Sequence, residues 1–189
     1  MRVVGGLYRG RRLAEFKGRS IRPTSDRVRE AIFNILGSGG GITHRLGAAL
    51  DLFAGTGALG IEALSRGAQE SVFVESDPAS VEVIEKNLSG LGIKTATILK
   101  KNVSDAISVL SLRHSVFDLI FIDPPYEAGL AEKTLAELDA SGIAGTDGVV
   151  VVEASIKAPV KAAGLKNLEL TDERRYGGTL VYFFTRKKG

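Results

Sequence analysis

The 189-residue chain carries 25 basic and 22 acidic residues for a net charge of +3, is 44% hydrophobic, and has neither Cys nor Trp. This content suits one soluble globular domain and excludes a disordered chain, and no apolar run reaches the ~20 residues that span a bilayer. Without Cys there can be no disulfide or thiolate metal site, and the two His, His44 and His114, lie too far apart in sequence to suggest a zinc site or a His-dependent triad; no metal is expected.

The charge is uneven. Residues 1–29 hold nine basic residues (Arg2, Arg9, Arg11, Arg12, Lys17, Arg19, Arg22, Arg27 and Arg29) against Glu15 and Asp26, a surplus of +7 that leaves −4 for the remainder. A polyanion partner and a merely solvated basic terminus both account for such an arm. Arg outnumbers Lys in it, and Arg suits bidentate phosphate contacts and stacking on bases. Met1 is followed directly by Arg2 and then by Val3, Val4 and two glycines, with no apolar core of a secretory signal, so a cytoplasmic protein is expected.

In chain order, Arg2–Leu7 and Arg11–Phe16 are predicted to pair as a small hairpin around Tyr8-Arg9-Gly10. A helix follows, capped by Thr24, Ser25 or Asp26, with Val28, Ala31, Ile32, Ile35 and Leu36 as one apolar stripe for core packing. The Gly-rich stretch Gly37–Gly41 then separates this unit from the body. The organisation expected is a single domain over 1–189, with 1–36 a basic appendage and 48–189 the core.

The body alternates β-rich apolar runs with helical patterns. Strands are predicted at Ala49–Phe53, Ser71–Glu75, Thr95–Leu99, Phe117–Ile122, Gly148–Glu153, Leu168–Glu173 and Thr179–Thr185, and helices at Leu59–Arg66, Pro78–Leu91, Val103–Leu112, Gly129–Ser141 and Ala158–Ala163. Continuous runs such as Leu119-Ile120-Phe121-Ile122 and Val149-Val150-Val151-Val152 read as strands buried on both faces, hence a mainly parallel sheet covered by helices. The last two strands, joined through Tyr176-Gly177-Gly178, form an antiparallel hairpin. The fold class is α/β and Rossmann-like: a seven-stranded, mainly parallel sheet with a C-terminal antiparallel hairpin, the pattern of class I methyltransferases.

The first core strand runs into Ala54-Gly55-Thr56-Gly57-Ala58-Leu59-Gly60 and a helix, a G-x-G-x-x-G match in strand–loop–helix context. Glycines there let a ligand lie against main-chain N–H groups. Glu75 ends the second strand, 20 positions after Gly55, where a carboxylate can accept both ribose hydroxyl hydrogens. The site fits an adenosine-type ligand and by itself does not separate a nicotinamide dinucleotide from S-adenosylmethionine. Asp51 favours the second, because a carboxylate is a poor neighbour for a pyrophosphate but can face the ammonium of a methionine moiety, directly or through water.

The fourth strand ends in Asp123-Pro124-Pro125-Tyr126. Ligands gather at the carboxyl ends of strands in open α/β sheets, so this motif and the glycine loop should share a crevice. Two prolines fix the backbone and remove two N–H donors. The Asp123 carboxylate and Pro124 carbonyl remain as acceptors for the two hydrogens of an NH₂ group, and Tyr126 offers a ring to stack on a planar substrate.

Asp-Pro-Pro-Tyr with Asp51-Leu52-Phe53-Ala54-Gly55-Thr56-Gly57 upstream resembles the amino-methyltransferases that use S-adenosylmethionine. The opening resembles one family more closely. Arg2–Gly6, Arg9–Leu13 and the run from Arg22-Pro23-Thr24-Ser25-Asp26-Arg27 to Leu36 are similar to the bacterial RsmD family, which methylates N2 of a guanine in 16S rRNA of the small ribosomal subunit. The likeness extends to Arg174-Arg175-Tyr176-Gly177-Gly178. It implies S-adenosylmethionine as cofactor, held by Asp51, Phe53, Gly55, Thr56, Gly57, Glu75 and Ser76, with the adenine edge met by Asn102 and Val103. Asp105 follows Asn102 by three positions, and either can be the adenine contact. The resemblance also implies Asp123, Pro124, Pro125 and Tyr126 as the catalytic set. Arg9, Arg11 and Arg12 are RNA candidates, while Arg22, Thr24 and Arg27 can border the cofactor or grip RNA; Arg27 can also simply pair with Glu30 at helix spacing. The partner implied is 16S rRNA within a small-subunit assembly, acted on by a monomer.

Rival readings share parts of this pattern. A DNA methyltransferase acting on adenine or cytosine uses the same tetrapeptide, but normally adds a target-recognition region for which 189 residues leave little room. A protein-glutamine methyltransferase usually has Asn at the position of Asp123. A dehydrogenase leaves Asp123–Tyr126 unexplained, and a plain RNA-binding module explains neither pocket motif.

Overall fold

A computed structural model describes residues 1–15, 25–38, 46–125 and 129–188. Its elements are α1 (Asp26–Gly37), β1 (Ala48–Leu52), α2 (Ala58–Ser65), β2 (Glu70–Val74), α3 (Pro78–Leu91), β3 (Ala96–Leu99), α4 (Val103–Leu112), β4 (Phe117–Ile122), α5 (Leu130–Ser141), β5 (Ala144–Ser155), β6 (Leu168–Tyr176) and β7 (Thr179–Arg186). The seven strands lie in the order β3-β2-β1-β4-β5-β7-β6. Strands β1 to β5 pair in parallel, and β7 runs antiparallel to both β5 and β6.

This order has a functional consequence. From β1 the chain steps outward to β2 and β3, then returns to place β4 on the other side of β1. The two crossovers therefore diverge at β1 and β4, and a crevice opens beyond their carboxyl ends. Leu52 and Ile122 are the last paired residues of the two strands, so the glycine loop and Asp123 leave the sheet side by side.

Strand alternation divides the apolar residues between two layers. Ala49, Phe73, Leu119, Phe121, Val151 and Phe183 pack under α1, α2 and α3. Leu50, Leu52, Ile120, Ile122, Val150 and Phe184 pack under α4 and α5. Both faces are covered, which is why the central strands read as unbroken apolar runs. Among the described residues no helix is long and apolar enough to cross a membrane.

Ser25 is the cap of α1, accepting from Val28 N–H at 3.3 Å; the candidate Thr24 lies outside the described residues. The apolar stripe of α1 is rotated from the predicted one. Arg29 and Phe33 are buried with Val28, Ile32 and Leu36, whereas Ala31 and Ile35 are half-buried. The Arg29 side chain donates to the Arg2 carbonyl at 2.6 Å and to Asp26 at 2.8 Å, so this cation ties the arm to α1 and is not offered to a partner.

Two expected elements differ. The strands Arg2–Leu7 and Arg11–Phe16 reduce to one antiparallel bridge, Arg2 with Arg12, and Phe16 lies outside the described residues. The reason is competition from α2. Val4 N–H donates to Glu62, Leu7 N–H to the Ser65 carbonyl and Tyr8 N–H to Ser65 Oγ, so these donors do not pair across a hairpin. The helix expected at Ala158–Ala163 does not form. Pro159 cannot donate and disfavours helical backbone before it, and the N–H groups of Val160 and Lys161 go instead to the Tyr182 hydroxyl and to Glu132. Burial raises the Tyr182 phenol above its ordinary pKa, while the Val160 N–H partly offsets the shift.

Candidate active site

The loop after β1 is shaped by its glycines and one strained residue. Phe53, the residue after β1, has φ +62°, a conformation non-glycine residues rarely adopt and that concentrates at functional sites. This is why the strand stops at Leu52 and not at the predicted Phe53. The three loop glycines have different tasks. A Cβ on Gly55, at φ +55°, would meet only the Phe53 carbonyl oxygen, at 3.9 Å; the backbone there is bare for a ligand to approach. Gly57, at φ +77°, turns the chain into α2. A Cβ on Gly60 would lie 2.4 Å from the Phe73 ring, so this glycine lets α2 settle on the sheet.

Gly57 has no side chain to cap α2. Asp51 supplies the cap from β1: its Oδ2 accepts from Gly60 N–H at 2.8 Å. Asp51 is 1% exposed. Burial pushes its carboxyl well above the ordinary range, opposed by the Gly60 hydrogen bond and reinforced by the charges of Asp123 and Glu75. The expected result for Asp51→Asn follows from the sign. A raised acid pKa favours the protonated form in the folded state, so wild-type stability declines as pH rises from about 4 toward the raised value. Asn keeps an acceptor for Gly60 without the buried charge, so the melting temperature of the variant should stay flatter across that window. An equal pH slope in both proteins would contradict this account of Asp51.

Glu75, one residue past β2, is drawn into the same loop. Its Oε2 accepts from Gly55 N–H at 2.9 Å, and its Oε1 accepts from Ser76 and Asp77 N–H at 2.8 and 2.9 Å. The carboxylate fixes the position of Gly55, and with several lone-pair sites per carboxylate it retains acceptor capacity for hydroxyl groups. Beyond β3, Asn102 caps α4 by accepting from Asp105 N–H at 2.9 Å and donates its amide to the Asp105 carboxylate at 2.7 Å. The two candidates for the adenine edge are thus one bonded pair, with Val103 buried behind them.

Asp51, Gly55, Gly57, Glu75 and Asp123 converge on the crevice beyond β1 and β4. Asp123 and Pro124 are half-buried and Pro125 is exposed, while Tyr126 lies outside the described residues. A cleft of ≈ 200 Å³ begins at Pro124 and Pro125 and runs below Glu153, Lys157 and Pro159. The basic candidates are placed differently. Arg9 and Arg11 sit on the turn docked at Ser65, the far end of α2, about 12 Å along that helix from the glycine loop. Arg9, Arg11, Arg12 and Arg27 are exposed, Arg11 also donating to the Gly90 carbonyl, and Arg22 lies outside the described residues.

Asn87 escaped the sequence reading. It is buried on α3, donates to the Thr56 carbonyl of the glycine loop at 2.9 Å and accepts from Ala14 N–H at 2.6 Å. One side chain thereby joins the arm to the loop. A polar residue beside the apolar Val81, Ile84 and Leu88 of α3 was the available signal.

A seven-stranded sheet of this order, with a glycine loop after β1, an acid after β2 and Asp-Pro-Pro after β4, defines the class I methyltransferase architecture. The family described as Conserved hypothetical protein 95 matches residues 1–185. YlbH of Bacillus subtilis (strain 168) is 35% identical over 188 residues, covering 99% of this chain and 100% of the relative. Ribosomal RNA small subunit methyltransferase D of Escherichia coli (strain K12) is 36% identical over 157 residues, 83% of this chain and 76% of the relative. The solved structure of Escherichia coli YhhF superposes with TM-score 0.83 at 34% identity, covering 99% of this chain and 98% of that one. A solved structure from Thermus thermophilus gives TM-score 0.82 at 32% identity, covering 97% of this chain and 98% of that one. The chain belongs to this family, the RsmD family.

Proposed function

We propose that the protein transfers a methyl group from S-adenosylmethionine to the exocyclic N2 of a guanine in 16S rRNA of the small ribosomal subunit. The observation that carries this reading is the adjacency of Asp123-Pro124-Pro125 and the glycine loop across the β1–β4 crevice. The family relatives, among them a small-subunit rRNA methyltransferase, support the RNA substrate.

The bare backbone at Gly55 and the remaining acceptor sites of Glu75 fit a nucleoside with two ribose hydroxyls. In this reading Phe53, Gly55, Thr56 and Gly57 flank the cofactor and Glu75 and Ser76 hold its ribose end. The Asn102–Asp105 pair with Val103 meets the adenine, and Asp51 sets the loop through Gly60. S-adenosylmethionine supplies the electrophilic methyl. Asp123 and the Pro124 carbonyl accept the two amino hydrogens of the target base, and Tyr126 stacks on its face. Those hydrogen bonds pull the nitrogen lone pair out of ring conjugation and orient it, which is where most of the rate arises. The amino proton becomes acidic only once the new N–C bond forms, so Asp123 needs no raised basicity beforehand.

The RNA grip is assigned to Arg9, Arg11, Arg12, Arg22 and Arg27, and the enzyme works as a cytoplasmic monomer on a small-subunit assembly. Reversing Arg11 and Arg12 together to Glu should weaken RNA binding and reduce the slope of log affinity against log salt by about 1 to 2. An unchanged slope would move the RNA surface elsewhere.

The deciding assay offers labelled S-adenosylmethionine with unmodified small subunits, bare 16S rRNA, duplex DNA and total protein, followed by nucleoside analysis. N2-methylguanosine from ribosomal RNA is the expected product. Methyladenine in DNA or label in protein would overturn the substrate assignment while leaving the pocket chemistry in place.

A further inference from the structure

Arg9 and Arg11 sit on the turn docked at Ser65, at the far end of α2, so that turn holds RNA away from the crevice. A base drawn out of its stack into the crevice brings its own phosphates to the carboxyl ends of the strands. Cations stand there too, supplied by the last third of the chain. The strap that follows β5 carries Lys157 and Lys161, and β6 carries Arg174 and Arg175 close to its hairpin turn. The strand register puts these segments together. Ser155, the last residue of β5, pairs with Thr179, and Thr179 pairs with Tyr176. Ile156 N–H then donates to the Gly178 carbonyl at 3.1 Å. The strap and the hairpin turn are therefore one edge at the carboxyl end of the sheet.

Lys157, Lys161 and Arg175 are exposed. None of the three forms an ion pair among the described residues, whereas Arg174 is held by Asp172 at 3.0 Å. Arg175 stands opposite Leu180, which packs on the same apolar layer as Val160 of the strap, so Arg175 and the strap share one face of the sheet. Glu132, beside the strap, is engaged by Lys161 N–H at 2.8 Å. Lys157 lines the cleft that begins at Pro124 and Pro125, while β6 lies three strand spacings from β4, about 14 Å away. Ile156, 39% exposed, and the exposed Pro159 add apolar surface between the cations. Single-stranded RNA offers the matching mixture, with phosphates for the cations and unstacked base faces for the apolar groups. Three unpaired cations spread along an edge suit a run of phosphates better than one small anion. We propose that this edge is a second RNA surface, with Lys157 on the phosphate beside the target base and Lys161 and Arg175 on the strand leading away from it. This rests on the RNA reading of the reaction and adds to it the contact next to the crevice.

The test measures binding of bare 16S rRNA against salt for the wild type and for a variant carrying K157Q, K161Q and R175Q. Each lost phosphate contact on a single strand removes about 0.7 from the slope of log affinity against log salt, so the slope should fall by about 2, and the dissociation constant should rise at least about tenfold. Affinity for S-adenosylhomocysteine should stay within about twofold of wild type. The substitutions leave the backbone hydrogen bonds of the strap in place; should the triple variant nevertheless melt early, K157Q alone decides, with an expected slope change of about 0.7. A variant with K157R and K161R keeps the charge and should keep the wild-type slope. An unchanged slope in the glutamine variants overturns the proposal. A photoreactive benzophenone side chain at position 156, in the presence of small subunits, should crosslink to 16S rRNA near the methylated nucleotide; a crosslink only to subunit protein, or none, also overturns it. The wild-type product separates the two questions. A wild type that methylates no ribosomal RNA refutes the reaction assigned above, whereas normal methylation with an unchanged slope refutes only this surface.

Discussion

Asp123→Ala should lower kcat by about 10²–10³-fold, the usual cost of deleting a preorganised polar contact to the reacting group. Affinity for S-adenosylhomocysteine should stay within about threefold of wild type. The two readouts separate because Asp123 leaves the sheet beside the glycine loop, whereas the loop itself is held in shape by Asp51, Glu75 and Asn87. Asp123→Asn should fall between, since it keeps one acceptor oxygen and turns the other into a donor aimed at an amino group. Single-turnover rates and calorimetric titration measure both quantities. A fall in cofactor affinity as large as the fall in rate would move Asp123 to the cofactor side of the crevice.

Glu75→Ala should raise the dissociation constant for S-adenosylhomocysteine at least about 100-fold. The carboxylate accepts from Gly55, Ser76 and Asp77 N–H, so its removal both frees the loop at Gly55 and deletes the acceptors for the ribose. Hydrogen bonds to a charged group are each worth about 1.5–3 kcal/mol, so losing several exceeds the roughly 2.7 kcal/mol that a hundredfold change represents. Glu75→Gln is not a mild change here. Both oxygens already accept N–H groups, and an amide would turn a donor toward one of them. It should therefore lose affinity as well, by about tenfold or more. Titration of both variants with S-adenosylhomocysteine checks the ranking; wild-type affinity in Glu75→Gln would exclude the dense acceptor role.

Much of the site is legible in the chain because several signals are local. The strand–glycine loop–helix pattern, the acid 20 residues on, and Asp-Pro-Pro after an apolar run each depend on neighbours in sequence. The β6–β7 hairpin is equally plain, since Gly177-Gly178 leaves a two-residue connection with Gly177 at φ +61°. The expectations that fail do so for a shared reason. Alternation predicts strands in the arm, but α2 lies across the fold and captures their N–H groups through Glu62 and Ser65. Composition predicts a helix at Ala158–Ala163, but Tyr182 and Glu132 offer its backbone other partners. Arg29 counts toward an RNA-binding charge in the sequence and is instead a buried tie between the arm and α1.

By itself the sequence determined the class of fold, the glycine loop and the Asp-Pro-Pro motif, because these are carried by backbone conformations and residue types within a few positions of one another. Only the tertiary structure decided how they combine. The strand order brings β4 beside β1 and so makes one crevice of two motifs about 70 residues apart. It holds the glycine loop through Asn87 and Asp51. Those placements depend on which strands become neighbours and which side chains find partners across the sheet, and both are settled by packing two apolar layers against a single twisted surface.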